Sequence, residues 1–70
     1  MNKKELRYQI ARSGLTRKTI AKMMGIGLVT LHRKLNGTTQ FTRGELMLIK
    51  EILELDDKTF IDIFFVDDVA

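Results

Sequence analysis

Five times along the chain an apolar residue stands just before a helix-capping residue, and a second apolar residue follows four places after the cap. The five segments are MNKKEL (1–6), LTRKTI (15–20), IGLVTL (26–31), FTRGEL (41–46) and LDDKTF (55–60). This is the spacing of a hydrophobic staple: the capping residue (Asn2, Thr16, Gly27, Thr42 or Asp56) begins the helix, and the flanking apolar pair sets the angle at which the chain joins it. Asn2 with Glu5 and Thr42 with Glu45 also have capping-box spacing, in which cap and acid satisfy each other's backbone N–H.

Stop signals fall in register with these starts. Gly14, Gly25 and the Asn36-Gly37 pair stand where helices opened by the first three segments should close, since Gly and Asn tolerate the left-handed conformation of a last turn. The pattern therefore predicts five helices, over roughly 3–13, 17–24, 28–35, 43–54 and 57–65. In the fourth, Leu46, Leu48, Ile49, Ile52 and Leu53 span an arc of about 160°, wider than the roughly 100° stripe of a surface helix, so it is expected to lie centrally and be buried on two sides. The last stretch, FIDIFFV, is read as a short helix, with a strand as the alternative because its β-branched and aromatic residues suit both. The expected fold class is all-α, a compact five-helix domain.

Composition narrows the function classes. A chain of 70 residues is read as one domain, 1–70, burying only about 60% of its unfolded surface, and no enclosed substrate cavity is expected. Without cysteine, and with His32 as the sole histidine, neither a disulfide framework nor a metal centre is expected, and no cofactor or small-molecule ligand. The apolar runs reach four residues at most, so neither a signal peptide nor a membrane span is expected, and a cytoplasmic location is. Asp56, Asp57, Asp62, Asp67 and Asp68 have no partner base and no ligand spacing, and read as a cap and a solvated acidic face. The chain is not expected to be an enzyme.

Charge adds a direction. Residues 1–44 hold ten Lys/Arg and one acid, a balance of +9, whereas residues 45–70 hold two Lys and eight Asp/Glu, a balance of −6. Such segregation suggests a basic face for phosphate and an acidic end kept away from it.

The second and third helices carry the candidate chemistry. Only Gly25-Ile26 lies between them, so they should cross steeply, with Ala21 as the small residue at the crossing. Ile20, Ala21, Met24, Gly25, Ile26 and Leu31 give apolar, small, apolar, turn glycine, apolar, apolar at helix-turn-helix spacing, over about residues 17–35. Together with Leu6, Gly14, Asn36-Gly37 and the Phe64-Phe65 end, these residues make the chain resemble the phage repressor and Cro family, the lambda-repressor-like or xenobiotic-response-element-type domains.

That resemblance implies a transcriptional regulator of phage or prophage type, acting in a bacterial or phage-infected cell and most simply as a repressor. Its partner would be double-stranded DNA, with a homodimer laying the third helix of each subunit into successive major grooves of a pseudo-palindromic operator. The third helix is about 12 Å long, comparable with the groove. Taking Leu31 as inward, Leu35 lies about 40° away and Leu28 about 60°, while Val29 and Arg33 face outward with Thr30 and His32 beside them. Leu28, Val29, Thr30, His32 and Arg33 are the candidate base-contacting residues: Arg33 can engage guanine bidentately and Val29 can meet a thymine methyl. Leu28 departs from the family, which commonly carries polar residues in this turn. By its stripe it is expected to pack mostly against the domain.

Phosphate contacts are expected from Arg17 and Lys18, at the dipole-positive start of the second helix, and from Lys34, Asn36, Thr38, Thr39, Gln40 and Arg43 around the following loop. Phe64, Phe65 and Val66 are the candidate dimer interface. The alternative is a protein-interaction module, antirepressor-like or antitoxin-like, that docks a partner through Leu28 and Val29 or through the Phe64-Phe65 end.

Overall fold

The computed structural model describes residues 1–65. It contains five helices: α1 Lys3–Ser13, α2 Arg17–Met24, α3 Leu28–Leu35, α4 Arg43–Ile52 and α5 Asp57–Phe64; among the described residues there is no strand. FIDIFFV is thus helical as far as Phe64, and its last residue, Val66, lies outside the described residues.

The five capping residues stand where the staple pattern puts them. Asn2, Thr16, Thr42 and Asp56 each accept the N–H three residues on, at Glu5, Thr19, Glu45 and Thr59, while Gly27 has no side chain to do so. Of the two expected capping boxes only the second closes, with the Thr42 N–H donating to Glu45 Oε1 at 2.8 Å. At α1 the reciprocal bond is displaced. The Asn2 N–H donates instead to the carbonyl of Ile63 at 2.7 Å, tying the start of α1 to α5, and Glu5 Oε2 accepts from Gln9 Nε2 at 2.8 Å.

α3 ends in a Schellman turn at Gly37, whose φ of 82° lies where a Cβ is unfavourable; the Thr38 N–H donates back to the Arg33 carbonyl at 2.9 Å. α4 closes the same way without a glycine. It stops two residues short of the expected 54: Glu54 takes a φ of 52° and the Leu55 N–H donates to the Lys50 carbonyl at 2.9 Å. A glutamate at that position carries no stop signal, so the boundary was invisible in the pattern.

α2 packs against α3 and α4, and α1 packs against α5. Leu6, Ile20, Leu31, Ile49 and Ile63 are the largest fully buried side chains, so each helix sends at least one residue to a common centre. α4 is not buried on two sides. Ile49 is its one buried residue, while Met47 and Leu48 are 58% and 38% exposed. A chain this small lacks the mass to enclose a helix: of the apolar arc, Ile49 and Leu53 are buried, Leu46 and Ile52 half-buried and Leu48 exposed.

Candidate nucleic-acid interface

α3 presents two unlike faces. Leu31 and Leu35 are buried, and Val29, Thr30, His32 and Arg33 are exposed, Val29 at 65%. Leu28 does not complete the inward stripe, because 39% of it remains exposed. The inward face of a helix has two flanks, and Lys34 lies about 60° from Leu31 on the side opposite Leu28. α3 is seated on the Lys34 flank: Lys34 is 6% exposed, and Leu28, in the open first turn, is turned toward water.

Burial of Lys34 overturns its expected role as a phosphate contact. Its ammonium sits 2.9 Å from Glu45 Oε1, donates to the Gln40 carbonyl at 3.1 Å and lies 6.0 Å from the centre of the Phe41 ring. Every strong interaction of this cation is internal, and the pair joins the end of α3 to the start of α4. The Glu45 carboxyl is held below the ordinary glutamate range, first by the Thr42 backbone N–H and then by Lys34. Two signals for this were present in the sequence: the angular position of Lys34 beside Leu31, and an acid at the third residue of the next helix.

The other candidate phosphate residues keep their exposure. Arg17 and Lys18 stand in the open first turn of α2, and Asn36, Thr38, Thr39, Gln40 and Arg43 are exposed on the turn after α3 and at the start of α4. From Leu6 to Gly44 the chain contains no Asp or Glu, so α2, α3 and the connection to α4 carry no carboxylate of their own. Among the described residues no three His, Asp or Glu side chains gather as metal ligands, and no helix is long and apolar enough to cross a membrane. Asp56 is a helix cap, its carboxyl held low by the Thr59 N–H.

Large apolar side chains are exposed on every helix, with Tyr8 on α1 and Met47 and Leu48 on α4. Met23, Leu28 and Val29 are exposed on α2 and α3, and Ile61 and Phe65 at α5. The Phe64-Phe65 pair divides. Phe64 is half-buried, its ring edge-on to Phe41 at 5.6 Å and tilted on Phe60 at 5.3 Å, so it serves the fold's own packing. Phe65 is 63% exposed, with its ring 5.7 Å from that of Phe60. Val66, the third residue expected at a dimer seam, lies outside the described residues.

Neither a known family's sequence model, nor a curated protein, nor a solved structure matches this chain.

Proposed function

We propose that this protein is a sequence-specific double-stranded DNA-binding regulator of the helix-turn-helix type, reading the major groove with the exposed face of α3 and acting on DNA as a dimer. The observation that carries the proposal is the make-up of that face. Val29, Thr30, His32 and Arg33 stand in solvent on a short helix, in a 39-residue stretch (6–44) free of Asp and Glu. The stretch itself adds no negative charge to repel a polyanion, and the exposed side chains combine a bidentate donor, a hydroxyl and methyl groups, the types that distinguish base pairs in the major groove. Arg17, Lys18 and Arg43 supply phosphate contacts on either side in sequence, setting register and most of the affinity. Occupying a promoter would repress it.

Selection of bound duplexes from a random pool tests this directly. The expected product is an inverted repeat whose half-sites lie about one helical turn apart, bound with a steep salt dependence. Recovery of no enriched sequence, with weak binding insensitive to salt, would overturn the proposal.

One observation favours a second reading. Leu28 is turned to solvent next to Val29, and with Met23 this gives the α2–α3 region more exposed hydrocarbon than a purely polar interface requires. In that case the chain is a protein-interaction module of the antirepressor or antitoxin type, and its complex would survive high salt that dissociates DNA.

A further inference from the structure

The cleft between the start of α1 and the connection from α3 to α4 has a volume of about 450 Å³ and is lined by Lys3, Lys34, Gly37, Thr39, Gln40 and Phe41 among others. Two lysines reach it, and their circumstances are opposite. Lys34 is committed from the inside to Glu45 and the Gln40 carbonyl. Lys3 is exposed and forms no ion pair among the described residues.

Lys3 nonetheless lies close to the loop. A Cβ added at Gly37 would stand 3.2 Å from Lys3 Cε and 3.6 Å from its Nζ, so the end of the lysine lies directly over the glycine. Gly37 needs its left-handed φ for the turn, and its bare Cα also makes room for this side chain. On the same loop the backbone N–H groups of Gly37, Thr38 and Thr39 are all taken up by the end of α3. Among the exposed residues of this loop, Thr39 and Gln40 line the cleft together with Lys3.

We propose that Lys3, Thr39 and Gln40 form a phosphate-binding site for the DNA backbone, with the first residue of α1 supplying the charge that Lys34 does not. The site rests on the DNA-binding function proposed above and adds to it a residue far from α2 and α3 in sequence. An ammonium that no described residue pairs, beside two uncharged hydrogen-bonding side chains, suits one phosphate group, with the charge setting affinity and the neighbours setting position. The contact is blind to sequence, so it strengthens binding to any duplex equally.

The test compares Lys3→Gln with Lys4→Gln, its exposed neighbour on the same helix, titrating selected and scrambled duplexes across a range of salt. Lys3→Gln should lower the slope of log K against log salt by about 0.9, one phosphate's worth, on both duplexes, and Lys4→Gln should leave it unchanged. Equal slopes for wild type and Lys3→Gln would overturn the site while leaving DNA binding intact. A wild type without a salt-dependent duplex complex would sink the DNA-binding function itself, and the site with it. As a second readout, an amine-reactive reagent followed by mass spectrometry should find Lys3 protected by the duplex and Lys4 not. Equal labelling with and without duplex counts against the site, and melting curves of both variants identify any loss of fold.

Discussion

Lys34 on α3 and Glu45 on α4 form a nearly buried ion pair, 2.9 Å between Nζ and Oε1, with side-chain exposures of 7% and 17%. The two partners are not equivalent. Glu45 is less buried and also completes the Thr42 capping box, whereas the Lys34 ammonium would be left with only the Gln40 carbonyl and the Phe41 ring. Glu45→Ala should therefore cost about 2–4 kcal/mol, because it strands a buried charge, and Lys34→Met should cost about 1 kcal/mol or less, because it replaces the cation with hydrocarbon of similar volume. Urea titrations of both variants check this. Lys34→Met should also leave the salt slope of duplex binding untouched, unlike Arg17→Ala, which should reduce it on every duplex.

The same pair sets a direction for acid unfolding. The folded-state pKa of Glu45 lies below its ordinary value, so its contribution is fully present above the ordinary glutamate range and is lost as pH falls through the folded value. Asp56, held low by the Thr59 N–H, acts with the same sign. Glu45→Gln keeps an acceptor for the Thr42 N–H but removes the charge. The melting temperature of wild type should fall more steeply than that of the variant below about pH 4.5, and the two curves should converge in acid. Parallel curves would mean the charge contributes nothing.

Val29 is largely in water and Leu28 partly so, and neither truncation should badly damage the fold. Their stripe positions alone would assign Leu28→Ala a loss of about 1–3 kcal/mol; with 39% of the residue exposed, about 1 kcal/mol or less is expected. On the selected duplex Val29→Ala should weaken binding by about 1 kcal/mol, and thymine replaced by uracil at the contacted position should bring variant and wild type level. Capture of a protein partner lost in Val29→Ala, with duplex binding unchanged, would favour the interaction module.

Arg33→Ala is expected to differ in kind from the phosphate variants. It should cost about 1–3 kcal/mol on the best site and relax preference at one base pair, leaving scrambled duplexes less affected. A uniform loss on all duplexes would remove Arg33 from the base-reading set.

One backbone position offers a stabilising change that touches no candidate contact. Glu54 holds a left-handed φ of 52°, and Glu54→Gly should raise stability by about 0.5–1 kcal/mol. Phe65→Lys, at a site 63% exposed, should preserve the cooperative thermal transition, and a concentration-dependent mass in wild type that disappears in the variant would assign Phe65 to a subunit contact.

Much of the fold could be read from local pattern because each helix carries its own start in a cap and a staple, and three carry their own stop in a glycine. α1 to α3 have the expected bounds for this reason. What local pattern could not convey was how helices rotate against each other. Leu28 and Lys34 flank Leu31 symmetrically, and hydrophobicity alone favours burying the leucine. The choice was made by Glu45 and Gln40, residues on another element, which give the lysine partners that Leu28 lacks. Likewise the capping box at Asn2 was legible as spacing, but the competing acceptor, the Ile63 carbonyl, belongs to the far end of the chain. The proximity of Lys3 to Gly37 had no sequence signal, since nothing in the spacing joins residue 3 to residue 37.

The bond from Asn2 to Ile63 has a kinetic meaning as well. α2 can find α3 and α4 through short connections, but α1 is fastened where α5 arrives, and closing that long loop costs chain entropy before any contact returns it. The two outer helices should consequently be the last to dock and the first to open together, exchanging their amide hydrogens as one unit while the amides of α2 and α4 exchange more slowly.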